Sequence, residues 1–222
     1  MKNVIITGAS GMVGMGVLLE CLDNDSIKKV LVIGRRPINV EHPKLKEIIH
    51  KDFLEFASIK EQLVNYDACY YCLGISASGL SEDQYKTITY DYTMACANTL
   101  YELNPETTFI YVSGVGTNST EKGRMMWARV KGKTENDLLN KGFKNAFAFR
   151  PGMILPLRGI KSRTKSYQFM YDYFTWLVKL IKLISPNSVV STSQIGLAMI
   201  NSISRPYTKG ILEPKDIIIQ SK

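Results

Sequence analysis

The feature that most constrains this chain lies in its first fourteen residues. The apolar run Val4-Ile5-Ile6-Thr7 enters Gly8-Ala9-Ser10-Gly11-Met12-Val13-Gly14, and Val13, Val17, Leu18 and Cys21 then recur at helical spacing as far as Leu22. A strand that turns into a helix within so few residues needs backbone free of a Cβ, and glycines at 8, 11 and 14 supply it. One glycine makes the turn, a second lets backbone approach a pyrophosphate, and a third lets helix and strand pack closely. The three-and-three spacing differs from Gly-x-Gly-x-x-Gly, yet the chemistry is the same: phosphates would sit over the helix N-terminus. Gly8, Ser10, Gly11, Met12, Val13 and Gly14 are thus expected to contact a dinucleotide. The alternative is a tight turn without a ligand.

The remainder alternates strand and helix. Lys29 to Ile33, Glu47 to His50, Ala68 to Leu73, Thr107 to Val112 and Asn145 to Phe149 read as strands. Between them, Ile59 to Leu63 is a weak helix, Glu82 to Leu103 a long one, and Met125 to Asn140 a third that ends near Gly142. Ser193 to Ile203 is a further helix, capped by Thr192 or Ser193. This order predicts an α/β fold of three layers around a mostly parallel sheet. No repeat or linker divides the chain, so 1–222 reads as one domain, with 153–222 forming a small substrate-side region. The apolar stripe from Phe169 to Ile184 predicts an amphipathic helix that packs on the fold or between subunits of a homodimer. Peripheral membrane contact is the less favoured reading of that stripe.

Composition excludes several classes. Hydrophobic residues at 45% and charged residues at 22% describe a globular chain, and no apolar run reaches the roughly 18 residues of a spanning helix. The start has a strand and a glycine turn where a signal peptide has a continuous apolar region. Four cysteines are too few for a disulfide scaffold, and a cytoplasmic location is expected. Cys69 and Cys72 resemble a C-x-x-C pair, but in a strand an offset of three puts them on opposite faces. His42 and His50 lack metal-ligand company, and no Gly-x-Ser-x-Gly elbow occurs.

The net charge of +8 is unevenly spread: residues 1–100 carry 10 basic and 12 acidic groups, residues 101–222 carry 18 and 8. A basic field favours anionic ligands, and Arg158, Lys161, Arg163 and Lys165 are candidates to select a small anionic substrate. No zinc-finger spacing or base-stacking aromatic pattern is present, so nucleic acid is not an expected partner.

The end of the second strand distinguishes cofactors. A carboxylate there accepts from the ribose 2′-hydroxyl of NAD, whereas a 2′-phosphate needs positive charge. The turn is Gly34-Arg35-Arg36, with no carboxylate between 26 and 40, and a guanidinium fork suits phosphate. NADP(H) is therefore expected over NAD(H). Asp52 is placed to meet the adenine amino group with Phe53 beside it, and Leu73-Gly74 ends the fourth strand where the nicotinamide-side ribose would pass.

Taken together, TGASGMVG (7–14), VLVIGRR (30–36), KDF (51–53), YCLGIS (71–76), YVSGVGT (111–117), VKGKTE (130–135) and FRPG (149–152) resemble the short-chain dehydrogenase/reductase superfamily. The likeness is to its atypical members, related to NAD-dependent epimerases/dehydratases and to the Tat-interacting TIP30 proteins. It covers about 150 residues in family order. The resemblance implies a Rossmann sheet with cofactor along its carboxyl edge. It also implies that Ser113 holds a substrate carbonyl or hydroxyl, that Lys131 holds the nicotinamide ribose, and that Pro151 and Gly152 border the nicotinamide half.

One position departs from the family pattern. The proton-transferring tyrosine belongs four residues before the lysine, and that position is Trp127. Indole has one N–H donor and no proton chemistry near neutral pH, so it cannot act as the general acid an alkoxide needs. Three readings stay open: an NADP(H)-dependent regulatory or interaction module with impaired catalysis, an oxidoreductase protonated by water, Lys131 or another tyrosine, none of which, Tyr90, Tyr92 and Tyr111 included, the sequence places well enough to nominate, and an enzyme in which Trp127 stacks on its substrate. Glu135, four after Lys131, reads as its salt-bridge partner on the helix.

Overall fold

The computed structural model describes residues 1–160 and 187–222. Strand β1 (Lys2–Thr7) leads through the glycine turn into α1 (Met12–Asp23). Then follow β2 (Ile27–Gly34), β3 (Leu45–Ile49), a 3-10 segment (Ala57–Leu63) and β4 (Ala68–Tyr71). The long helix expected over 82–103 forms as α2 (Glu82–Lys86), a π-helical turn (Thr87–Asp91) and α3 (Tyr92–Leu103). Strand β5 (Thr108–Val112), helix α4 (Met126–Leu139) and β6 (Asn145–Phe149) complete the expected alternation. Four further elements escaped the sequence reading: β7 (Met153–Leu155), β8 (Val189–Ser191), β9 (Ile211–Leu212) and α6 (Pro214–Gln220), the last two on either side of Glu213. Helix α5 (Thr192–Ser204) lies where expected.

Seven strands form one parallel sheet in the order β3-β2-β1-β4-β5-β6-β9, and β7 and β8 pair separately. The chain runs outward from β1 to β3, then returns to β4 on the other side. That reversal between β1 and β4 is the switch point at which such sheets open a crevice. Register makes the strand ends level: Thr7 pairs with Tyr71, Tyr71 with Tyr111, and Tyr111 with Ala148. The residues that follow these strands therefore share one edge.

Both faces of the sheet are buried, which explains why its strands read as apolar runs without alternation. Val4, Ile6, Val32, Tyr70 and Ile110 pack with Val17, Leu18 and Met199 on one side. Ile5, Leu31, Cys69, Tyr71 and Tyr111 pack with Ala97, Leu100 and Leu138 on the other. Cys69 and Cys72 belong to opposite faces, as the strand period requires, and all four cysteines are free. Helices α1 and α5 touch almost backbone to backbone: a Cβ on Gly16 would lie 2.6 Å from Thr192 Cβ.

The cap of α5 corrects the sequence reading. Ser191, not Thr192 or Ser193, accepts from the Gln194 N–H at 3.1 Å, and the Gln194 side chain returns the bond to Ser191 N–H at 3.0 Å. Thr192 is fully buried, and its hydroxyl accepts from Leu157 N–H at 3.1 Å. The stripe at 169–184 and the cations Lys161, Arg163 and Lys165 lie outside the described residues.

Candidate functional site

The glycine turn is a close-packed cradle. Gly8 has φ +69°, and a Cβ there would lie 2.6 Å from Cys72 carbonyl carbon and from Leu73 N. A Cβ on Gly14 would lie 2.7 Å from the Gly8 carbonyl carbon and 2.9 Å from Ala9 Cα. Gly11 differs: its Cβ would meet only Gly8 O, at 3.3 Å, so its outer side is open to a ligand. Gly11 also precedes α1 without a side-chain cap, which leaves first-turn N–H groups for an anion. Ser10 is half-buried, while Met12 packs toward Leu155 and Val189 and Val13 toward the α1 face of the core. Met12 and Val13 thus offer backbone N–H groups rather than side chains. The cradle fits a pyrophosphate.

Arg35 and Arg36 follow β2 at the same sheet edge, exposed and without an ion pair among the described residues. The Glu47 carboxylate of β3 is engaged instead with Ile38 N–H, at 3.1 Å. Asp52 is exposed after β3, with one oxygen accepting from Leu54 N–H at 2.9 Å. Phe53 beside it is fully buried and packs against His50, Phe56 and Tyr92, so its backbone is the part that can face a ligand. Leu73 abuts Gly8, and Gly74 is exposed with open space about it. Pro151 is buried and accepts from Val115 N–H at 3.4 Å, while a Cβ on Gly152 would lie 3.2 Å from Ser188 O and 3.5 Å from Val115 Cγ2.

Ser113 leaves the tip of β5 with its N–H donated to Phe149 O at 2.7 Å. Its hydroxyl lies 3.0 Å from that of Thr117, which donates to Gly114 O at 2.8 Å. Trp127, in the first turn of α4, lays its ring against this loop: a Cβ on Gly116 would lie 3.2 Å from Trp127 Cη2. One turn later, Lys131 Nζ stands 5.7 Å from the Tyr111 ring centroid. Desolvation lowers the Lys131 pKa to about 8, with the Glu135 charge acting the other way. Serine, tryptophan and lysine therefore lie on the face covered by α4, at the carboxyl edge of the sheet.

Glu135 is not the ion-pair partner of Lys131. It is fully buried and takes Arg150 at two points, Nε to Oε1 at 2.9 Å and Nη2 to Oε2 at 2.5 Å. Arg150 also donates to Ser119 Oγ at 2.7 Å and to Glu213 Oε1 at 3.2 Å, tying β6 to α4, to the loop before α4 and to the start of α6. The sequence held one clue: Ala128, Lys131, Glu135 and Leu138 share a helical stripe, and a carboxylate on a buried stripe demands a partner. Thr117 was missed too, although a hydroxyl four residues after Ser113 on a glycine-rich loop was visible.

Of Tyr90, Tyr92 and Tyr111, two are engaged away from Lys131 and the third lies buried under it. The Tyr90 hydroxyl donates to Asp137 Oδ2 at 2.6 Å, Tyr92 packs on Phe53, and Tyr111 is buried beneath Lys131. Arg158 is likewise not free to select an anion, since it pairs with Asp23 at 2.8 Å and Glu20 at 3.5 Å.

The chain is 28% identical over 155 residues to the protein FMP52-1, mitochondrial, of Scheffersomyces stipitis, an alignment spanning 69% of this chain and 67% of that protein. It is 27% identical over 157 residues to the protein HTATIP2 of Rattus norvegicus, spanning 69% of this chain and 63% of that one. An oxidoreductase of the short-chain dehydrogenase/reductase family from Burkholderia thailandensis superposes with TM-score 0.71 at 12% identity, covering 98% of this chain and 92% of that one. The UDP-N-acetylglucosamine 4-epimerase of Methanobrevibacter ruminantium, in complex with UDP-N-acetylmuramic acid, superposes with TM-score 0.70 at 17% identity, covering 95% and 75%. At such identities these two structures share the fold. A family profile matches residues 4–132, more than half of the sequence, and so the chain belongs to the NAD dependent epimerase/dehydratase family.

Proposed function

We propose that the protein binds NADP(H) at the glycine cradle and exchanges a hydride between it and a small carbonyl or hydroxyl compound. In the oxidising direction an alcohol would lose a hydride to NADP⁺ and a proton to solvent, leaving the carbonyl. The observation that carries the cofactor choice is the exposed Arg35-Arg36 pair at the tip of β2, free of ion pairs among the described residues. In this reading Gly8, Ser10, Gly11, Met12, Val13 and Gly14 hold the pyrophosphate, with Asp52 and the Phe53 backbone near the adenine. Lys131, Leu73, Gly74, Pro151 and Gly152 surround the nicotinamide half, and Ser113 holds the substrate oxygen. Residues 1–222 work as one unit, with 153–222 on the substrate side; the close approach of Gly152 to Ser188 and Pro214 supports this.

Trp127 favours a second reading, a cofactor-dependent regulatory or interaction module with impaired turnover, because none of Tyr90, Tyr92 and Tyr111 replaces the missing hydroxyl. Four free cysteines suit a reducing compartment, and we retain the cytoplasm. Since the fungal relatives are named mitochondrial, cell fractionation is the check. No helix among the described residues is long and apolar enough to cross a membrane.

Calorimetric titration of the nucleotide-free protein with NADPH and NADH tests the cofactor assignment. NADPH binds at least about tenfold more tightly than NADH, since two or more charge-assisted bonds to the 2′-phosphate are at stake. In R35E/R36E the preference disappears. Equal affinities in the unaltered protein would overturn NADP(H), and binding of neither would overturn the site.

A further inference from the structure

The hydroxyls of Ser113 and Thr117 can be assigned donor and acceptor roles by elimination. Each carries one proton and two lone pairs. Thr117 Oγ1 lies 2.8 Å from Gly114 O, and a carbonyl oxygen only accepts, so the Thr117 proton is used there. Thr117 N–H points to the same carbonyl at 3.2 Å, which fixes the residue from two atoms. The 3.0 Å contact between the two hydroxyls must then carry the Ser113 proton into Thr117. Ser113 and Thr117 are only 6% and 7% exposed, so water competes little for either bond.

Ser113 therefore presents lone pairs, and no proton, to anything that reaches it from the cleft. Lys131 and Trp127 have the opposite character, since an ammonium and an indole N–H only donate. A ligand hydroxyl can donate to Ser113 and leave the bond from Ser113 to Thr117 intact. A ligand carbonyl only accepts, and Ser113 must break its bond to Thr117 to meet it.

We infer that the substrate side of this site takes the hydroxyl form of its ligand, with Thr117 as the positioning residue that turns Ser113 into an acceptor. The inference deepens the NADP(H) reading and rests on it. The penalty on a carbonyl is one intramolecular hydrogen bond, worth about three- to tenfold in affinity.

Two measurements on the full chain test it. Neutron diffraction from a perdeuterated crystal locates the deuterons: that of Ser113 lies on the line to Thr117 Oγ1 and that of Thr117 toward Gly114 O. A Ser113 deuteron aimed into the cleft overturns the inference. This experiment needs no bound cofactor. The second compares 1-phenylethanol and acetophenone on the NADP⁺-loaded protein by saturation-transfer NMR, after calorimetry has verified loading. The aromatic probes suit a loop flanked by Trp127 and the half-exposed Val115. The alcohol binds more tightly, and Thr117→Val moves the ratio toward the ketone by about three- to tenfold while NADP⁺ affinity stays constant. A ketone preference, binding of neither probe, or a ratio indifferent to Thr117→Val overturns the inference. A protein that fails to load has failed the cofactor reading, and the deuteron positions still decide the roles of Ser113 and Thr117.

Discussion

Arg150 meets Glu135 through two parallel N–H to oxygen bonds, 2.9 and 2.5 Å long, around a carboxylate with no exposed surface. Fifteen residues apart in sequence, the two join the end of β6 to the helix that carries Trp127 and Lys131. Removing one partner of a buried pair leaves the other charge uncompensated, at a cost of about 3–5 kcal/mol. Arg150→Met alone should lose that much in urea unfolding, whereas R150M/E135L should recover most of it. Equal losses in the single and double variants would mean that shape, rather than charge, holds this junction.

Lys131 gives the site a pH dependence. With its pKa near 8, the ammonium begins to lose its proton just above neutrality, so NADPH affinity should fall as pH rises through about 8. In Lys131→Met the fall should be absent, as calorimetry across that range would read. Stability moves the other way. The unfolded lysine keeps its proton to about pH 10.4, so the unfolded chain binds more protons between those values. The lysine's burial penalty is present in full below about pH 8 and is relieved as pH rises toward 10.4. The stability deficit of the wild type relative to K131M should shrink over that window.

The glycines of the cradle should separate by role. Gly14→Ala forces a Cβ against the Gly8 and Ala9 backbone, which cannot move aside, and should cost about 3 kcal/mol. Gly11→Ala meets only Gly8 O at 3.3 Å and should leave the melting temperature within a few degrees. It should nonetheless weaken NADPH binding by tenfold or more, because the methyl stands where the phosphates approach. Thermal melts and calorimetry on the two variants would show whether stability and binding divide in this way.

Trp127→Tyr restores a proton donor four residues before Lys131. General acid-base catalysis contributes about 10²–10⁴-fold, so hydride exchange between NADP(H) and the 1-phenylethanol/acetophenone pair should rise at least about a hundredfold. A fall would instead mean that the indole ring serves the substrate directly.

The local part of this fold was legible in the sequence because it depends on residues close together in the chain. A strand, three glycines at spacing three and an amphipathic helix mark the turn, and Gly14 is required by the Gly8 and Ala9 backbone inside it, whereas the need for glycine at 8 comes from Cys72 and Leu73 at the end of β4. Alternating apolar runs and helical stripes gave the parallel sheet, and Cys69 and Cys72 fell on opposite faces by strand period alone. Ser113 and Lys131 were singled out by the family resemblance, and the order of elements carries both to the same edge of the sheet.

Tertiary structure decided the partners. Burial of Phe53 came from packing on His50, Phe56 and Tyr92, which turns its ring into the core and leaves its backbone in the loop beside Asp52. Arg158 found Glu20 and Asp23 across more than a hundred residues, and Glu135 chose Arg150 over the lysine one turn away. Ser191 caps α5 through a local Ser-x-x-Gln box that the sequence already carried, whereas two-residue β9 exists only because β6 offers an edge. Periodicity and turn chemistry act over a few residues and can be read in order along a chain. A charge buried at a junction takes whichever partner the strand ends bring within reach, and that is settled only when the layers pack.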